Sequence, residues 1–162
     1  MPARAYCGRA HVAGTQTVKC LIQRVTGASV RVEDTVVGEI GAGLLVFVGV
    51  QPGDTDEQVA RMSQRLLSYR LFGDAEGKMN LSVVDTGGSI LLVSQFTLAA
   101  DTGRGNRPSF SSAASPALAE HYFEALTKVL NASGTPIATG QFGADMQVSL
   151  ANDGPVTFLL EG

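Results

Sequence analysis

Leu44-Leu45-Val46-Phe47-Val48-Gly49-Val50 contains no polar side chain and stops at Gln51-Pro52-Gly53-Asp54. Side chains of a strand point alternately to its two faces, so an unbroken apolar run of this length predicts a central strand buried on both sides. It is far too short to cross a membrane. The rest of the fold is read outward from it. Upstream, residues 36–40 form a neighbouring strand across Gly41-Ala42-Gly43. Residues 18–25 and 28–33, split by Thr26-Gly27, read as two strands of a tight hairpin, with Val30 and Val32 alternating with Arg31.

Downstream, Pro52-Gly53 breaks the sheet. Asp54 is expected to cap a helix, with Glu57 three residues on as in a capping box. Val59, Met62, Leu66 and Tyr69 recur at helical spacing, so about 55–70 is an amphipathic helix with a core-facing stripe. A loop at 73–77 leads to a short strand at 81–84, and Gly87-Gly88 turns the chain into a strongly apolar strand at 89–97. After a long polar loop, 100–112, Ser115 caps a second helix with Pro116 at its first position. That helix ends at 131–134 and buries Ala119, Tyr122, Phe123, Leu126 and Leu130. Two last strands, 146–151 and 156–160, are joined by Asn152-Asp153-Gly154-Pro155. The order ββββ-α-ββ-α-ββ predicts an α+β fold, a mixed curved sheet with two helices. It is not a doubly wound nucleotide fold, and no glycine-rich phosphate loop is present.

At 162 residues, 44% hydrophobic and 17% charged, the chain is globular and long enough for one real core. The single domain is expected at 18–162. Residues 1–17 show no periodicity and are expected to be a poorly ordered extension. They carry no continuous apolar stretch, so no secretory signal or membrane segment is read, and a cytoplasmic location is expected. Cys7 and Cys20 imply neither a disulfide framework nor a metal site. Residues 18–162 carry all 15 acidic side chains and ten of the 12 basic ones, a net charge near −5. A protein gripping duplex nucleic acid by its phosphates would show a basic face, so any RNA contact should be small and local.

The usual catalysts are scarce. His11 lies in the irregular N-terminus and His121 on the polar side of a helix, and both read as surface histidines. No metal-ligand spacing or Gly-x-Ser-x-Gly elbow occurs, and no cofactor is implied. Two segments remain. In Ser94-Gln95-Phe96-Thr97-Leu98, hydroxyl residues sit near the end of an apolar strand. The plain reading is an ordinary strand end. The functional one needs backbone N–H groups and a hydroxyl facing a cleft, able to bind a carbonyl oxygen. Gly154-Pro155 has a plain reading as a turn between the last two strands. With a cis bond, its glycine carbonyl would instead point rigidly into a pocket, accept from an ammonium group and exclude one enantiomer's side chain.

Together with Leu21-Ile22-Gln23-Arg24-Val25, Gly77-Lys78-Met79-Asn80 and Arg104-Gly105-Asn106-Arg107-Pro108-Ser109-Phe110, these segments resemble the D-aminoacyl-tRNA deacylases in order and spacing. The resemblance spans about 18–160. It implies a homodimer that hydrolyses D-amino acids from tRNA, and glycine mischarged on alanine tRNA, with the tRNA acceptor end as partner. One subunit would supply Ser94, Gln95, Phe96 and Thr97, and the other a cis Gly154-Pro155 gate that rejects L-aminoacyl-tRNA. The family core would begin near Val18, so a start at that residue is expected.

The resemblance leaves two mechanisms. One makes Thr97 the nucleophile, but a neutral hydroxyl is weak without a base. Alternatively, N–H groups near Gln95, Phe96 and Thr97 polarise the ester, and water or the ribose 2′-hydroxyl attacks. Arg104 and Arg107 read equally as phosphate contacts or as solvated loop residues. The competing functions are a small-ester hydrolase with a Ser94 or Thr97 nucleophile, and a non-catalytic module binding amino compounds or RNA ends.

Overall fold

The computed structural model describes residues 17–162. The readings of His11, Cys7 and the N-terminal extension therefore lie outside the described residues. Around the central strand, β3 (Gly43–Gly49), the sheet runs β2-β1-β3-β6-β7, with β1 (Lys19–Val32), β2 (Thr35–Ile40), β6 (Ser89–Ser94) and β7 (Ile137–Thr139). The long C-terminal strand β8 (Gln147–Glu161) lies along the other side of β1. β3 pairs antiparallel with β1 and parallel with β6, so the sheet is mixed.

Both faces of β3 are buried, as its composition requires. Leu44, Val46 and Val48 face one apolar cluster with Ile22, Leu92 and the helices α1 (Asp56–Ser68) and α2 (Pro116–Ala132). Leu45 faces a second, smaller cluster with Val25, Val30, Leu91 and Val93 on the concave side. The curl is tight enough to bring β2 onto β7. A methyl group at Gly38 would fall 2.4 Å from the Thr139 carbonyl oxygen, so only glycine fits there.

The fold class is the expected one, but β4 (Phe72–Gly73) and β7 stand where no strand was expected, and the expected elements are redrawn at four places. Residues 19–32 form one strand rather than a hairpin. Thr26-Gly27 is bridged because β8 pairs both halves of β1, with register shifts on either side of Val25. Residues 146–160, read as two strands, likewise form one. The strand expected at 81–84 is displaced to β5 (Met79–Leu81), which pairs with β4 (Phe72–Gly73), and Ser82, Val83 and Asp85 form a turn. The strand expected at 89–97 stops at Ser94 and becomes a 3₁₀ helix, Phe96–Ala99.

The helices follow their signals closely. Ser115 caps α2 and Pro116 opens it. For α1 the cap is one residue later than expected. Thr55 and Gln58 form the reciprocal capping box, and Asp54 is buried instead, its Oδ2 accepting the Gln51 N–H at 2.7 Å. Among the described residues, no helix is long and apolar enough to cross a membrane.

Candidate active site

Strand β6 delivers Ser94 opposite Val48 of β3, and the chain then turns at Gln95 into the short helix. The turn is fixed by the Gln95 N–H donating to the Val48 carbonyl at 2.8 Å and the Leu98 N–H donating to Gln95 O at 3.2 Å. Gly49 makes room for it: a Cβ there would meet Leu98 Cβ at 2.8 Å. Thr97 is thus on a helical turn, not at a strand end. Of the three amides expected to face a ligand, that of Gln95 is committed to the sheet. The Phe96 and Thr97 N–H groups precede the first turn bond and have no partner within the helix.

The Gln95 side-chain Nε2 donates to Thr97 Oγ1, and no histidine, lysine or carboxylate hydrogen-bonds that hydroxyl among the described residues. His121 is exposed on α2, its ring edge-on to Tyr122. Cys20 is fully buried, and burial pushes its thiol far above the ordinary range, so it is no nucleophile. Phe96 is 61% exposed and packs on Phe110, ring centroids 5.3 Å apart. Beside Ser94, Gln95 and Phe96 opens a cavity of about 420 Å³, closed on its far side by Ala114, Phe142 and Met146. Those three walls escape sequence reading because they come from a loop, a helix approach and a turn without chemical signal.

The second segment is a bulge in β8. Asn152 pairs with Val25 and Thr157 with Gln23, so four residues, 153–156, stand opposite Arg24 alone. Val156 turns inward and is buried, while Asp153, Gly154 and Pro155 are exposed. The Gly154-Pro155 bond is cis. Two residues pin the bulge. Arg24 Nε donates to the Asp153 carbonyl at 3.1 Å and pairs with its carboxylate at 3.0 Å, while Nη1 donates to Leu71 O at 2.7 Å. Asn152 Nδ2 donates to the carbonyls of Arg24 and Val156, each at 3.0 Å. Gln23 Nε2 donates to Thr157 Oγ1 at the far end. Arg24 was visible only as part of a motif; its partners are 47 and 129 residues away.

Sequence proximity of function does not mean contact within one chain. Ser94, Gln95, Phe96 and Thr97 are brought together, but β3 and β1 lie between β6 and the bulge in β8. At about 4.8 Å per strand, the two segments stand three spacings apart in one protomer.

Residues 21–161 match the profile of the D-Tyr-tRNA(Tyr) deacylase family. A D-aminoacyl-tRNA deacylase of Xanthomonas axonopodis pv. citri (strain 306) is 61% identical over 141 residues, covering 86% of this chain and 97% of that protein. One from Teredinibacter turnerae (strain ATCC 39867 / T7901) is 58% identical over 144 residues, covering 89% and 99%. Among solved structures, one described as c-Myc DNA Unwinding Element Binding Protein superposes with a TM-score of 0.85 at 39% identity, over 89% of this chain and 98% of the other. A probable eukaryotic D-amino acid tRNA deacylase shares the fold, with a TM-score of 0.79 at 15% identity over 90% and 99%.

Proposed function

This chain belongs to the D-Tyr-tRNA(Tyr) deacylase family, and from that premise we propose that it hydrolyses the ester bond of D-aminoacyl-tRNA, working in the cytoplasm as a homodimer with sites that span the subunit interface. The observation that carries the shared site is the separation just described. The exposed, pinned Gly154-Pro155 bulge stands three strand spacings from its own Ser94 to Thr97 segment, which supports a second copy supplying one to the other.

In this reading the cavity beside Phe96 receives the aminoacylated end of the tRNA. The free amides of Phe96 and Thr97 polarise the ester carbonyl and stabilise the oxyanion that forms. Water attacks the carbonyl, the neighbouring 2′-hydroxyl assists by hydrogen bonding, and the esterified ribose oxygen leaves with a proton. Thr97 is not the attacking group, because it lacks a base and its oxygen already accepts from the Gln95 side chain. The partner's Gly154 carbonyl accepts from the substrate ammonium group and fills the space an L side chain needs. Selectivity then comes from exclusion, and glycine mischarged on alanine tRNA passes because it has no side chain to exclude.

The test is single-turnover hydrolysis of D-tyrosyl-tRNA against L-tyrosyl-tRNA by the purified protein. Rapid loss of the D-ester with the L-ester spared is expected. Equal rates would defeat the gate.

A further inference from the structure

Net charge near −5 over residues 18–162 repels an RNA end, so a substrate of this kind needs a local cationic foothold. Of the ten cations at positions 18–162, five are engaged. Lys19 pairs with Glu161, Arg24 with Asp153, Arg61 with Glu57 and Lys78 with Glu76, while Arg65 donates to the Glu161 carbonyl and covers the Tyr69 ring. The other five, Arg31, Arg70, Arg104, Arg107 and Lys128, make no such contact among the described residues, and of these Arg104 and Arg107 share one loop that packs on Phe96. Both are exposed, and neither makes an ion pair or a side-chain hydrogen bond among the described residues.

They stand on a loop whose position is fixed. Asp101 and Ser109 close its stem by two backbone hydrogen bonds of 2.8 and 2.9 Å. The one carboxylate in the loop, Asp101, has its Oδ1 engaged by the Gly103 N–H at 2.8 Å. Gly105, at φ +66°, turns the chain between the two arginines. The stem leaves directly from the end of the Phe96–Ala99 helix, and the loop returns through Phe110, which packs on Phe96 at the mouth of the cavity. Two unpaired guanidinium groups are therefore tethered at both ends to the residues that would hold the aminoacyl ester.

We propose that Arg104 and Arg107 are substrate-positioning residues that bind the phosphodiester groups of the single-stranded tRNA end next to the ester. A guanidinium fork matches phosphate oxygens in pairs, and an unpaired one has no carboxylate to leave first. This rests on the deacylase reading and adds to it how a negative protein holds a negative substrate. Two contacts to a single strand predict that log kcat/KM falls with log salt concentration, with a slope of about −1.4 from these residues.

The experiment compares wild type with R104Q/R107Q on two substrates, D-tyrosyl-tRNA and the D-tyrosyl ester of adenosine, which has no phosphate. With tRNA, the double variant is expected to raise KM about tenfold at low salt, leave kcat unchanged, and lose about 1.4 from the salt slope. With the adenosine ester it should equal wild type. R104K/R107K should keep most of the slope. An unchanged KM for tRNA would overturn the proposal, as would an equal loss on both substrates, which marks a structural role. A wild-type protein inactive on D-tyrosyl-tRNA would instead overturn the underlying reading.

Discussion

At the level of single residues, the two segments depend on groups of very different visibility. The Ser94 to Thr97 stretch announces itself by its hydroxyls, yet the structure shifts weight from hydroxyls to backbone. Because the Thr97 hydroxyl has no base, T97V should lose less than about tenfold in single-turnover rate, whereas losing a true nucleophile costs many powers of ten. A thousandfold loss would restore Thr97 as the attacking group. Arg24 is the converse case. It looks like one more solvated strand position, but its side chain is mostly buried; two of its contacts hold Asp153 and the third anchors it to the Leu71 carbonyl. R24A leaves the Leu71 carbonyl and Asp153 without their donor, so unfolding free energy should drop by about 1–3 kcal/mol. D- over L-tyrosyl-tRNA selectivity should fall with it. Urea titration and paired hydrolysis assays check both, and a variant with normal selectivity would remove Arg24 from the gate. No pattern in sequence could have found this role, since it is defined by a bulge whose partners are distant backbone atoms.

At the level of elements, helices were legible and strand boundaries were not. A helix carries its own start signal, and Ser115-Pro116 and Thr55 sit where local hydrogen bonding places them. T55A removes one side of a capping box and should cost about 1 kcal/mol in urea unfolding, with catalysis untouched. A strand is completed by its neighbours. Thr26-Gly27 has the composition of a turn, but β8 supplies pairing partners through it. Misplacing the α1 cap by one residue also hid a buried acid. Burial raises the Asp54 carboxyl above its ordinary value, and Oδ1 has no hydrogen-bond partner. The native state therefore holds this proton more tightly than the unfolded chain does. Stability from this group is present at low pH and lost as pH rises through the native value. Asp74 in the β4–β5 turn runs the other way. Hydrogen bonds from Asn80 and from the Lys78 and Glu76 amides lower its pKa, so its contribution is present at neutral pH and lost on acidification. Urea midpoints from about pH 3 to 8 should decline less on the alkaline side in D54N and less on the acid side in D74N. Parallel profiles for wild type and D54N would show that the buried carboxyl is not linked to folding.

At the level of the whole molecule, the decisive fact is an open edge. Strand β8 pairs with β1 on one side only, and Leu150, Phe158 and Leu159 remain exposed along it. A long edge of this kind is an invitation to pairing unless it is covered. Sequence periodicity shows that such residues are apolar, but not that they are left outside, because that depends on which strand ends the sheet. If a second copy covers this edge, each dimer has two sites, each built from one subunit's Ser94 to Thr97 segment and the other's bulge. That arrangement makes a quantitative demand. G154V places its side chain against Asn152 Oδ1, already 2.6 Å from a mere Cβ, and should wreck the gate. A114W fills the cavity on the opposite side of the site. Each variant alone should be inactive or unselective. Mixed and allowed to exchange subunits, they form heterodimers in which both defects fall in one site and the other site is wholly wild type. Random pairing makes half the dimers mixed, so D-tyrosyl-tRNA hydrolysis with full chiral selectivity should recover to about a quarter of the wild-type rate. Two sites each contained within one subunit could never recover at all, because every chain in the mixture carries a defect of its own.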